Sequence, residues 1–362
     1  MSSPAQAVPA LVGRGSSFRV TRGSSVWAAV AALVVVVVLA YLPYIAYAGV
    51  TDTLVNFLVL LTLGMMWNLL AGYAGLVSVG QQGFIGLGSY TVLVLAQQGV
   101  EPFVAIPAAA VVAAVIALPT SWLVFRLSGG YFAIGTWVVA EVFELIVIRF
   151  HSLGGGTGAA LPGLSGLDPT LLGAYTYWAA LVVGVLAVGG GYALLRSRLG
   201  LSLTAVRDNE TAARSAGTRV QHARRVVYLV AAAGCGAVGA ILVISQLNVE
   251  PASAFSVQWS ADMIFVALIG GLGSIEGPIV GAILFTVLQQ TMAQDGVWYL
   301  IMLGAVAVIV AVWVRRGLWG LFAERTGARL FPVGYRLEQE TGGRRRDLLR
   351  PPWARDRSPG VG

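Results

Sequence analysis

The sequence contains no lysine, one cysteine and two histidines in 362 residues. Each scarcity removes a class of chemistry. Without lysine, a G-x-x-x-x-G-K-[ST] phosphate loop cannot be completed. Cys235 alone, inside an apolar block, builds neither a disulfide nor a thiolate metal centre. His151 and His222 are too few for a histidine metal cluster. No nucleophile–base–acid set is visible, so the chain does not read as an enzyme. Charge is also scarce, at 11% of residues against 57% hydrophobic. A soluble domain of mean hydropathy +0.80 could not solvate its own surface.

What is abundant is apolar sequence in long blocks. A membrane-spanning helix needs about 20 apolar residues. Blocks of that kind lie at 27–48, 54–71, 84–98, 103–125, 131–149, 176–195, 227–247, 262–272, 277–292 and 298–314, two of them short for a full crossing. The alternation of a membrane barrel is absent. The fold class is therefore all-α, a polytopic transmembrane helical bundle with glycine-broken helices. The first block starts as late as Trp27 and closes on the interfacial tyrosines of "YLPYIAYAG", with no small-residue cleavage site, so it reads as a span and not a cleaved signal. The chain divides into an N-terminal segment (1–26), a membrane region (27–322) with a polar loop at 196–226, and a basic tail (323–362) expected to be poorly ordered and cytoplasmic.

The net charge of +7 is carried by arginine. It collects in three places: Arg14, Arg19 and Arg22; the loop from Arg196 to Arg225; and the tail from Arg315. Clustering of this kind orients a membrane protein, so both termini and the loop are expected on the cytoplasmic side. The tail could touch anionic lipid, and nothing in it reads as a nucleic-acid module. Six spans bring the chain back inside at Arg196. An even number must then follow, which requires 262–272 and 277–292 to be separate passes with a break near "GGLGSIEGP".

A second break on the same side falls in "GLVSVGQQG", and Gly75-Leu76-x-Ser78-Val79 is faintly like Gly271-Leu272-x-Ser274-Ile275. Paired glycine-interrupted segments mark transport sites in many membrane proteins. The same spacing equally suits close packing through small residues. The candidate path residues are Gly75, Ser78, Gly80, Gln81, Gln82 and Gly83 at the first break, and Gly271, Gly273, Ser274 and Gly277 at the second. Glu141 and Glu144, on one face of the span 131–149, join them. A carboxylate at mid-membrane costs roughly 2.5–3.5 kcal/mol; lining of a solute path, a structural pairing and a proton relay are the competing explanations. For Gln81 and Gln82 the alternatives are hydrogen bonds to an amino-acid zwitterion and interhelical packing.

Between spans, "LTAVRDNETAARSAGTRVQHARRVVY" places Leu203, Val206, Ala213 and Ala216 near one helical face. Asn209 and Glu210 start a turn and Gly217 ends it. Such a short helix either seats in a groove of a soluble partner or is a solvated connector.

At this loop the sequence resembles a known family. "RDNETAARSAG" is similar to the cytoplasmic EAA-type loop of ATP-binding-cassette importers, with Glu210, Ala212, Ala213 and Gly217 in place. "NLLAGYAGLVSVGQQGFIGLGSYT", "GGYFAIGTWVVAEVFELIV", "GGGTGAALPGL" and "LIGGLGSIEGPIVGAIL" resemble, in order, stretches of the branched-chain amino acid permease subunits, specifically the longer member of the permease pair. The likeness runs from Asn56 to Phe322. It departs at Gln81-Gln82, at Thr211 inside the Glu-Ala-Ala run, and at Thr157–Ala160 of the outer loop. The resemblance implies an importer in the cytoplasmic membrane of a bacterial-type cell. This chain would form half of the path beside a sister permease. Two ATPase subunits would bind ATP beneath it, and an extracytoplasmic solute-binding protein would deliver cargo. It implies no cofactor in this chain. Coupling to the ATPase would fall to Arg207, Asp208, Asn209, Glu210, Ala212, Ala213 and Gly217. The expected cargo is a branched-chain or related small amino acid. Urea, short amides or another small carboxylate are alternatives for the same machine, and an ATP-independent transporter or channel is the alternative of another class.

Overall fold

A computed structural model describes residues 18–22, 26–45, 48–164, 166–292, 301–302, 304–305, 308, 317–326, 331 and 335–339. The chain forms two compact units, Met1–Val26 with Pro332–Gly362, and Trp27–Phe331. In the first, β1 (Phe18–Arg22) pairs antiparallel with β4 (Tyr335–Gln339), Phe18 opposite Gln339. A short strand thus stands inside the tail; residues 340–362 lie outside the described ones.

The second unit is a helical bundle. The helices are α1 (Val26–Tyr41), α2 (Ala48–Asn68), α3 (Gln82–Gln97), α4 (Ala105–Val124), α5 (Gly130–Ile148), α6 (Pro169–Arg196), α7 (Arg198–Asp208), α8 (Glu210–Ser215), α9 (Val220–Gln246), α10 (Pro251–Ala254), α11 (Val257–Gly270), α12 (Glu276–Met292) and α13 (Gly317–Thr326). Among the described residues, six helices are long and apolar enough to cross a membrane: Gly49–Tyr73, Ala105–Val124, Gly130–Ile148, Pro169–Arg196, Val220–Gln246 and Pro251–Gly270. The span expected at 298–314 falls almost wholly outside the described residues, and α13 runs past the expected end of the membrane region at 322.

Two helices begin seven residues before their apolar blocks. Asp168 caps α6, its Oδ1 accepting from the Thr170 N–H at 2.8 Å, and Pro169 fits the first helical position, so the helix starts seven residues before the block at 176. α9 starts at Val220 because the arginine-rich stretch before residue 227 continues the helix as a polar first two turns. α3 has 16 residues and reaches only about 24 Å, short of a bilayer core of about 30 Å.

α11 and α12 are two separate helices, broken where the charge count expects it. A Cβ on Gly270 would lie 1.8 Å from the Gly277 carbonyl oxygen, and one on Gly281 would lie 1.9 Å from that of Val266. Those pairings run in opposite directions, so the helices are antiparallel and the chain turns back between them. α2 runs beside them: Asn56 Nδ2 donates to Gln289 Oε1 at 2.6 Å and Gln290 Nε2 to Thr53 Oγ1 at 2.9 Å.

The core centres on α9, where Ala231, Ala232, Cys235, Val238 and Ala240 are fully buried. α3 meets it backbone to backbone. A Cβ on Gly88 would sit 2.0 Å from the Gly236 oxygen, and one on Gly239 would sit 1.9 Å from the Ile85 oxygen. Glycine there is what lets two helices approach within hydrocarbon, and Ser89 Oγ locks the contact by donating to the Gly239 oxygen at 2.8 Å. The outer faces of α1, α4, α5 and α6 expose Leu33, Val38, Val115, Trp122, Leu145 and Leu186, an apolar surface that suits lipid or another membrane subunit.

Candidate functional site: two helix breaks beneath an arginine loop

The first break begins where α2 widens into a π-turn at Leu69–Tyr73. Gly75 then takes φ 68°, a left-handed conformation that side chains resist. The chain runs irregularly to Gln82, and the protein supplies partners for several of its polar groups. Trp67 Nε1 donates to the Ser78 carbonyl at 2.8 Å, the Val79 N–H to Thr136 Oγ1 at 3.2 Å, and Gln81 Nε2 to Ser78 Oγ at 3.1 Å. Ser260 Oγ donates to Gln82 Oε1, and Cys235 Sγ to Gln81 Oε1 at 3.6 Å. Ser78, Gln81 and Gln82 are fully enclosed, and Gln82 Nε2 has no partner among the described residues. Gly80 and Gly83 face α5 so closely that a Cβ would lie 1.9 Å from the Thr136 oxygen and 2.9 Å from Ala140. In this conformation the glycines bring α3 against α5 and α9. Solute could meet either amide only if α3 parts from α5.

The second break, Gly271–Ile275, follows α11. Gly271 and Gly273 have φ 126° and 76°. Ser274 folds the turn: its Oγ donates to the Gly271 oxygen at 3.0 Å and accepts from the Gly277 N–H at 3.1 Å. Gly277 is needed because a Cβ would lie 2.1 Å from the Gly271 oxygen.

The two breaks touch. Asn68, fully buried in the last turn of α2, donates through Nδ2 to the Ser274 carbonyl at 2.8 Å, and its Oδ1 accepts the Gly273 N–H at 2.9 Å. Gly72 permits the approach, since its Cβ would lie 2.6 Å from the Gly273 nitrogen.

The arginine-rich loop lies against this junction. Ser197 caps α7, its Oγ accepting from the Leu199 N–H at 3.1 Å. Asn209 ends α7 and caps α8, its Oδ1 accepting from the Ala212 N–H at 3.0 Å. α8 closes in a Schellman motif: the Thr218 N–H reaches the Ala213 oxygen and the Gly217 N–H the Arg214 oxygen, each at 3.0 Å, with Gly217 at φ 82°. Val206, Ala213 and Val220 form a small core beneath it, and Leu203 is buried, while Ala212 and Ala216 are exposed. Ala216 therefore leaves the apolar face expected of it, because the C-terminal cap turns the chain there. Glu210 binds Arg214 at 2.5 Å and Arg224 at 2.9 Å. Partial burial pushes the Glu210 carboxyl pKa up, but the hydrogen bonds and charges of Arg224 and Arg214 outweigh it and hold the pKa below its ordinary value. Arg207 Nη1 donates to the Gly72 carbonyl at 2.8 Å and Arg224 Nε to that of Ala74 at 3.5 Å. Asp208 is the last residue of α7.

Glu141 and Glu144 stand apart, half-buried on one flank of α5, with Trp137 Nε1 donating to Glu141 Oε1 at 2.7 Å. At the far end of α9, β2 (Ala159–Ala160) of the outer glycine loop pairs with β3 (Asn248–Val249). Beside it lies a small, partly open cleft lined by Ser89, Gln246, Asn248, Glu250 and Trp259 among others. Among the described residues no group of three or more His, Cys, Asp or Glu could hold a metal. Sequence reasoning did not single out Asn68, Thr136, Arg224 or Ser260. An amide inside a long apolar helix was the available signal for Asn68.

Residues 49–311 match the family described as "Branched-chain amino acid transport system / permease component". The chain belongs to this family. The permease is 28% identical over 297 residues to the high-affinity branched-chain amino acid transport system permease protein LivM of Escherichia coli strain K12, covering 75% of this chain and 70% of that protein. It is 28% identical over 272 residues to the glucose ABC transporter permease protein TsgB13 of Haloferax volcanii, covering 66% and 68%. It is 26% identical over 243 residues to the probable branched-chain amino acid transport permease protein LivH of Methanocaldococcus jannaschii, covering 62% and 74%. No solved structure gives a significant match. The permease is thus a multi-pass membrane transport component and not an enzyme.

Proposed function

We propose that this permease forms half of the path of an ATP-driven importer for branched-chain or related small amino acids, and is worked through segment 207–217. The observation that carries this is the build of α8. It is a capped helix with one side pinned by Ala213 and a free side available to a soluble partner, and its Glu210 grips Arg224, which with Arg207 binds the end of α2. A solvated connector needs no such attachment. The partners are two ATPase subunits that bind the ATP, a second and sister permease, and a solute-binding protein outside. The arginine loop and both termini face the cytoplasm.

The path runs along the α5 flank that carries Glu141 and Glu144. Two carboxylates on an otherwise apolar outer surface are costly against lipid. Facing a sister permease across a watery path they are solvated and can attract the ammonium group of an amino acid. That chemistry favours a zwitterion over urea, a sugar or a second carboxylate.

The test is reconstitution in liposomes with the sister permease, ATPases and binding protein, followed by uptake of labelled leucine. Uptake should require ATP and the full set. Concentrative uptake by the permease alone would establish a secondary transporter instead. Glu141→Gln combined with Glu144→Gln should raise KM while leaving assembly intact; unchanged kinetics would remove the flank from the path.

A further inference from the structure

We propose that Asn68, with Arg207 and Arg224, forms a latch that holds the arginine end of the path shut and must open once in each transport cycle. The inference rests on the proposed function only for what pulls the latch.

Asn68 uses both ends of its amide on the backbone of the other break, as donor to the Ser274 oxygen and acceptor from the Gly273 N–H. Few side chains can do this. Aspartate lacks the donor and sets a charge against the Ser274 carbonyl. Leucine matches the shape but leaves a buried N–H and C=O unpaired. The contact joins segments more than 200 residues apart, whose glycines are required for the approach itself.

The carbonyls at the end of a helix are unsatisfied by their own turn and carry the negative end of its dipole. Here those of Gly72 and Ala74 receive guanidinium groups from the loop, Arg207 at 2.8 Å and Arg224 at 3.5 Å. Arg207 also reaches the second break, since a Cβ on Gly273 would lie 2.9 Å from its Nη1. Arg224 is held in turn by Glu210, the first residue of α8. Displacing α8 pulls on Arg224 through Glu210 and on Arg207 through the Asn209 junction, and more than about an ångström of movement in either guanidinium breaks its bond to the end of α2. The loop, the end of α2 and the second break thus change together. Asn68 and Arg224 are positioning residues that act on the backbone around the path.

Two measurements on the assembled importer test this. First, Asn68→Cys with Ser274→Cys, in a Cys235→Ala background, is oxidised with copper phenanthroline. Crosslinked transporter should lose uptake and regain it on reduction. Normal uptake by crosslinked transporter would show that the breaks never part and would overturn the proposal. Second, Ser78→Cys, an enclosed position, reports opening through its rate of labelling by a membrane-permeant maleimide. Asn68→Asp and, separately, Arg207→Gln should each raise that rate about tenfold, the value of one well-made buried hydrogen bond. Unchanged labelling in both variants, with both in the membrane, would also overturn it. Labelling needs no ATPase: a rise that ATP does not modulate leaves the latch standing and sinks the coupling reading.

Discussion

Gly217 holds a left-handed backbone at φ 82°, and no heavy atom lies within 4 Å of where its Cβ would be. Substitution there is therefore a test of backbone conformation uncomplicated by a clash. An alanine in the left-handed region costs about 1–2 kcal/mol, and a β-branched residue more. α8 has six residues, too few to persist without its caps. Its C-terminal closure rests on the Gly217 and Thr218 N–H groups. A penalty of about 1.4 kcal/mol shifts the closed cap tenfold toward an open one, and the helix frays with it. Gly217→Ala should lower the number of solutes moved per ATP hydrolysed several-fold, and Gly217→Val should lower it further. Gly217→Asn should stay near the parent, because asparagine tolerates this conformation. The assay is paired uptake and phosphate release in proteoliposomes, with membrane abundance as the control. The order Gly, Asn, Ala, Val is the prediction. Normal coupling in Gly217→Val, or equal loss in Asn and Val, would refute the reasoning.

Other expectations are as direct. Gly239→Leu should destabilise the detergent-purified permease strongly, lowering its Tm, because even a Cβ would meet the Ile85 oxygen at 1.9 Å; an unchanged Tm would mean α3 and α9 do not pack as described. Gln82→Leu should destabilise it by about 1–3 kcal/mol by stranding the Ser260 hydroxyl, and adding Ser260→Ala should recover part of the loss in a double-mutant cycle. The Glu210 tether has a folded pKa below the ordinary 4.5, so its contribution is fully present above that value and is lost only as pH falls through the lowered pKa. Hydrogen exchange in α8 should accordingly be flat with respect to this group from pH 8 to about 5, after correction for the intrinsic rate, and accelerate only in stronger acid.

The spans were legible because lipid demands uninterrupted apolar sequence, which no other constraint imitates. Their ends were less so. Asp168 and Pro169 start α6 by capping, and the arginines before residue 227 prolong α9 beyond its apolar block; hydropathy marks the edge of the block and not the end of the helix. The charge count demanded a reversal near Gly271, and the antiparallel pair α11 and α12 supplies it. The glycine clusters announced broken helices, and the turn at Gly217 announced the end of α8. What the glycines touch was not readable. Gly80 against Thr136, Gly88 against Gly236 and Gly72 against Gly273 are meetings of distant backbone, set by tertiary packing and without any local pattern. Asn68 was passed over for the same reason: one amide in a long apolar helix signals a partner without saying which.

The contact of α3 with α9 has a mechanical corollary. Where two main chains touch directly, no rotamer intervenes to soften a relative slide, and a shift of half an ångström is already a collision. These helices are bound to travel as one plank. Any rocking that admits solute from one side and then the other has to be taken up at the unwound segments and along the α5 seam, leaving the centre of the bundle a passenger.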